Sequence, residues 1–129
     1  MSRPIKWRTA AIAWASILTL LGGARFGQVD AQQAAREFTL VNIKYEGSNV
    51  WVPGPIVVKK GERVRIRAIN NVKDDPAEHG LAIDEFSVKL VVNRGKAETI
   101  EFVADKAGIF RLWCHLHLPH VATQIVVLE

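Results

Sequence analysis

Gly108-Ile109-Phe110-Arg111-Leu112-Trp113-Cys114-His115-Leu116-His117-Leu118-Pro119-His120 is the stretch on which the reading of this sequence turns. It holds the only cysteine of the 129-residue chain and three of its four histidines. A soft thiolate and several imidazoles within a few residues form the composition of a transition-metal site. Ile109 to Cys114 reads as a strand, and Pro119 marks a tight loop after it. The chain is expected to be a scaffold that holds this strand-to-loop junction around one metal ion.

The flanking sequence supplies the scaffold. Downstream, Thr123 to Leu128 reads as a strand bordering the histidine loop. Upstream, Arg63 to Ala68 alternates strictly, with Val64, Ile66 and Ala68 facing one way and Arg63, Arg65 and Arg67 the other. A period of two marks a strand with one buried face. The arginine row reads as a solvated face, with a docking patch for an acidic partner as the sharper alternative. Thr99 to Val103 alternates in the same way, and Glu37 to Tyr45, Val50 to Val52 and Ile56 to Val58 are further extended pieces. His79 to Asp84 opens a strand at its loop end, after the polar loop Asn71 to Glu78, and Phe86 to Val92 is extended. Seven or eight short strands with regularly spaced turns, and no sustained helical period after the N-terminus, predict an all-β Greek-key β-sandwich.

Residues 1–31 read differently from 32–129. Arg3, Lys6 and Arg8 precede an apolar run from Ala10 to Leu21, followed by Gly22-Gly23-Ala24. That is the three-part layout of a secretory signal, with cleavage after Ala24 or Ala31. The alternative is an uncleaved N-terminal anchor, in which case the protein meets the membrane. The run falls short of the roughly 20 residues that span a bilayer. Either way the domain 32–129 is expected to be exported, to a periplasm. The formal charge of +4 resides mostly in this leader, since residues 32–129 hold 13 Lys+Arg against 12 Asp+Glu. A nearly neutral domain argues against nucleic acid as a partner. One cysteine excludes an internal disulfide and any site built from two cysteines of one chain.

The metal ligands expected are Cys114, His117, His120 and His79. In a tight loop leaving a strand, Cys114, His117 and His120 can reach one point, and a sandwich can bring the start of the His79 strand beside them. His115 adjoins Cys114, and adjacent strand side chains point to opposite faces, so it is expected not to be a ligand. One thiolate with imidazoles in a rigid sandwich suits copper, which alternates between a softer and a harder oxidation state. Zinc would also accept such a set. The only methionine is Met1, so no thioether is available to the site. His120, Gln124, Glu78, a backbone carbonyl or water remain for the fourth position.

These residues resemble the cupredoxins, and within them the nitrosocyanin-like red copper proteins. The similarity runs through His79-Gly80-Leu81-Ala82-Ile83-Asp84-Glu85-Phe86, Phe102-Val103-Ala104-Asp105-Lys106-Ala107-Gly108 and Trp113-Cys114-His115-Leu116-His117, with Val57-Val58-Lys59-Lys60-Gly61-Glu62 upstream. The resemblance implies one mononuclear copper held by Cys114, His117 and His120, and a trimer as the homo-oligomer. Two departures stand out. His79 lies where nitrosocyanin-like proteins carry a glutamate, and the loop from His117 to His120 is shorter by two residues. His120 then falls in the slot where short-loop cupredoxins keep methionine.

The function expected is one-electron transfer with a redox partner protein, with His120 as the electron port if it lies near the surface. The alternatives are an open copper position that binds nitric oxide or another small ligand, in catalysis or sensing, and a copper or zinc carrier. A Cys-His hydrolase fits poorly, because the thiol and imidazoles are packed as ligands rather than as an attacking pair.

Overall fold

The structure is a computed structural model that describes residues 34–118 and 120–129. The expected leader, 1–31, and the expected loop marker Pro119 lie outside the described residues. Among the described residues the strands are β1 (Arg36–Tyr45), β2 (Ser48–Val52), β3 (Ile56–Lys59), β4 (Arg63–Asn70), β5 (Glu78–Ile83), β6 (Val88–Asn93), β7 (Glu98–Val103), β8 (Gly108–Leu112) and β9 (Thr123–Leu128). They form one sheet in the order β2-β1-β4-β7, a second in the order β3-β9-β8, and a β5-β6 ribbon.

Alternation in the sequence becomes burial in the fold. Val64, Ile66 and Ala68 of β4 are wholly buried, whereas Arg65 and Arg67 face solvent. Leu40 of β1, Leu81 and Ile83 of β5, Val88 and Val92 of β6, Leu112 of β8 and Ile125 of β9 join them in one core. Phe86, Phe102 and Phe110 close one side of it, Phe86 stacking on Phe102 at 5.2 Å and meeting Phe110 edge-on at 5.1 Å. Such ring pairs add to the area they bury. The arginine face is neutralised across strands: Arg65 sits in register between Glu37 of β1 and Glu101 of β7 and pairs with both. Exposed pairs of this kind contribute little to stability.

Two details depart from the expected strand pattern. Phe86 does not begin an extended run: Asp84–Phe86 form a single 3-10 turn, and Ser87 follows in the left-handed region at φ 54° before β6 starts. Strand β8 ends at Leu112, so Cys114 stands just beyond it. At the β1–β2 hairpin, Glu46 and Gly47 both have positive φ, 45° and 80°. Two such residues make the turn whose twist matches its strands.

Two backbone stitches place the ends of these strands. Ala82 of β5 and Trp113 exchange N–H···O bonds of 2.8 and 3.0 Å, which joins the β5-β6 ribbon to the end of β8. At the other end of the β8–β9 loop, the Val121 N–H donates to the Asn49 carbonyl of β2 at 3.0 Å. The loop is thus held at both ends by strands distant in sequence.

The central position of β4 sets a simple expectation. Ile66→Ala should lower the unfolding free energy by about 2–5 kcal/mol, as loss of a fully buried side chain leaves a cavity. Arg67→Ala, on the opposite face of the same strand, should change it by less than about 0.5 kcal/mol. Urea unfolding of both variants measures the contrast, and equal losses would contradict the assigned faces.

Candidate metal centre

The donors arrive from two places in the chain, His79 on β5 and the other three on the β8–β9 connection. His79 is the second residue of β5 and is wholly buried. Cys114 follows the Trp113 bridge and is 2% exposed. Trp113 is itself fixed: its indole N–H donates to the Asp84 carboxylate at 3.0 Å, and the Arg111 guanidinium lies 4.5 Å over its ring. His117 and His120 are half-buried in the loop that leads to β9.

The stitch between Ala82 and Trp113 brings His79, three residues before Ala82, next to Cys114. One ligand atom from each of His79, Cys114, His117 and His120 lies within 4.8 Å of the other three. The Cys114 Sγ is 3.9 Å from His117 Nδ1. The three imidazole rings stand 5.0 to 5.6 Å apart, centroid to centroid. Small side-chain rotations bring such a group to metal bond lengths of about 2.0–2.3 Å. Glu78 and Gln124, the other side chains considered for the fourth position, are exposed and outside this cluster.

Gly80 ties the sulfur to the rest of the fold. Its N–H donates to Cys114 Sγ at 3.2 Å. Its carbonyl accepts the buried Trp51 indole N–H at 2.9 Å. No side chain fits here, because a Cβ on Gly80 would stand 2.5 Å from His115 Nδ1 and 2.9 Å from the His115 backbone nitrogen. His115 thus packs over Gly80 and takes no place among the four donors.

Burial, followed by the neighbouring imidazoles of His120 and His117 and the charge of Arg94, pushes the pKa of His79 down from 6.5 to about 4. Burial and then His117 lower that of His120 as well. These rings are held neutral, the form that offers a lone pair to a metal. Both ring nitrogens of His79 and Nδ1 of His120 are buried without a hydrogen-bond partner. Buried polar atoms are nearly always satisfied, so unpartnered nitrogens on two rings of a cluster that also holds a thiol call for an ion among them. One sulfur donor and three imidazoles fit copper.

Neither Gly80 nor Asn49 was legible as part of the site. A glycine inside an apolar strand was the available signal for Gly80, since it often marks close backbone approach. Asn49 Nδ2 lies 3.1 Å from His120 Nε2, a contact across 71 residues that no local pattern announces. His120, expected as a surface port, has one nitrogen buried and the other engaged by Asn49.

Known proteins fit this geometry. A family model described as a cupredoxin-like domain matches residues 10–127. The nitrous-oxide reductase of Cupriavidus necator is 38% identical over 64 residues, 49% of this chain and 10% of that protein. The nitrous-oxide reductase of Ralstonia nicotianae is 34% identical over the same length and shares. The chain thus spans about a tenth of the curated relatives it matches. Among solved structures, a copper nitrite reductase from Nitrosomonas europaea superposes with a TM-score of 0.58 at 21% identity, over 74% of this chain and 42% of that one. A Cu-containing nitrite reductase from Thermus scotoductus gives 0.55 at 25%, over 74% and 28%.

Two expectations follow from the site without its metal. Gly80→Ala should lower the unfolding free energy by about 1–3 kcal/mol, as overpacking does. It should also expose Cys114 to a thiol reagent at least about tenfold faster; unchanged labelling and stability would mean that the Gly80 contact does not hold the sulfur. For pH, the folded pKa of His79 lies below its unfolded value, so the unfolded chain binds the extra proton. The stability gained is fully present above pH 6.5 and is lost as pH falls to about 4. The loss amounts to about 3 kcal/mol in the metal-free protein. Urea titrations across that range should show the decline, and a flat profile would contradict a neutral, buried His79.

Proposed function

Since the chain belongs to the cupredoxin-like domain family, we propose that it is an exported one-electron carrier that holds a single copper ion through His79, Cys114, His117 and His120. The observation that carries this reading is the convergence of one thiol and three imidazoles within 4.8 Å on a β-sheet frame. When bound, copper supplies the exchange of one electron between Cu(I) and Cu(II). The chain's own residues keep the geometry the same in both states. His79, on β5, and Cys114, just past the end of β8, are both buried, and the Gly80 amide holds the sulfur. A single cysteine supplies one thiolate, so a pair of coppers bridged by two thiolates has no ligand set here.

The redox partner docks, on this reading, over the loop that carries His117 and His120. Leu116, Leu118 and Val121 expose apolar side chains there, Leu118 by 73%. An apolar patch beside a half-buried donor suits a brief, close encounter. Residues 1–31 direct the chain to the periplasm, as a cleaved signal or as an anchor.

Loading the purified protein with Cu(II) and recording its visible spectrum tests the reading. Intense thiolate-to-copper absorption is expected, abolished in Cys114→Ala and restored reversibly through cycles of ascorbate and ferricyanide. A colourless protein that retains zinc would falsify the electron-transfer function. A spectrum that shifts on addition of azide or nitric oxide would favour an open site for small ligands instead.

A further inference from the structure

Asn49 stands at the start of β2, where its backbone carbonyl already accepts the Val121 N–H that ends the metal-site loop. Its side chain reaches the residue beside Val121, placing Nδ2 3.1 Å from His120 Nε2. Two atoms are then stranded: Asn49 Oδ1 and His120 Nδ1 are both buried and without a partner. A neutral imidazole carries one proton, so the partner of one nitrogen dictates what the other can do. If the amide donates to Nε2, the proton sits on Nδ1. His120 then points an N–H at a cluster of donors, where it repels a metal and bonds to nothing.

The opposite orientation of the amide resolves the defect at the ring. A carboxamide turned by half a turn keeps its shape and exchanges its oxygen for its nitrogen. Oδ1 then accepts from the His120 Nε2–H. The ring is then locked as the Nε2–H form and the buried Nδ1 keeps a free lone pair, while the amide NH2 takes the position without a partner that Oδ1 leaves. Ligand histidines are commonly oriented in this way by an acceptor on their second nitrogen.

We propose that Asn49 is a positioning residue that fixes the tautomer and aim of His120, and so makes that histidine the fourth metal ligand in a site without methionine. This inference rests on the four-donor copper reading above. It adds a reason for the loop to be stitched to β2: the same residue that holds the backbone of the loop orients its last ligand. Val121 and His120 are thereby set by one side chain and one carbonyl of Asn49.

Nitrogen-15 NMR of the imidazoles in the metal-free protein reads the tautomer directly. The wild type should show His120 as Nε2–H. Asn49→Asp, whose carboxylate can only accept, should keep that form, and Asn49→Leu should lose the preference. With Cu(II) added, Asn49→Leu should bind about 10- to 100-fold more weakly and show altered EPR hyperfine splitting, whereas Asn49→Asp stays close to wild type. An Nδ1–H form in the wild type overturns the proposal even if Asn49→Leu fails to fold. So does a copper affinity unchanged in Asn49→Leu while His120→Ala weakens it. Failure of the copper reading is distinct: the wild type would then lack a thiolate band that depends on Cys114, whatever tautomer His120 adopts.

Discussion

The bond from the Gly80 N–H to the Cys114 sulfur is the contact on which the site depends. A thiol within a core has little to hold it in one rotamer, since sulfur is a weak acceptor and donor. Here the amide comes from the strand that also carries His79, so sulfur and imidazole are positioned by one backbone segment. The carbonyl of the same residue is anchored by Trp51 of β2, in the four-stranded sheet. The Ala82–Trp113 exchange repeats the connection two residues further on. A displacement of β5 would therefore disturb the sulfur, the first histidine and the core tryptophan together.

That rigidity has an electrostatic counterpart. Burial disfavours a charged imidazole, and His79 responds by remaining neutral well below the usual histidine range. A frame that leaves buried nitrogens of His79 and His120 unpaired is poorly satisfied without a cation. Folding thus leaves a deficit of partners at one point, and the family to which the chain belongs identifies copper as the ion that meets it.

Sequence and structure agree where the governing physics is local. The two-residue alternation of β4 announces its buried face, and the crowding of Cys114, His117 and His120 announces a metal site, because both depend on near neighbours in the chain. His79 needed a sandwich topology to be drawn in, and the fold brings it there. The turn at Asp84–Phe86 is not marked in the sequence because it holds neither glycine nor proline, and Phe86 is held there against Phe102 and Phe110. Gly80 and Asn49 were illegible for a deeper reason. Their roles lie in a sulfur 34 residues away and an imidazole 71 residues away, and only closure of the sandwich creates those contacts.

The lack of methionine gives the loop its character. Cys114, His117 and His120 are each separated by two residues, so the loop is short and its last donor is an imidazole where a thioether would be softer. A thioether needs no particular proton state, whereas an imidazole ligates through one nitrogen and must dispose of a proton on the other. Exchanging the donor therefore creates a demand for an acceptor at the far side of the ring. That demand falls at β2, whose Asn49 reaches His120 while its carbonyl holds Val121. Ligand choice, loop length and the stitch to β2 are in this sense one structural solution.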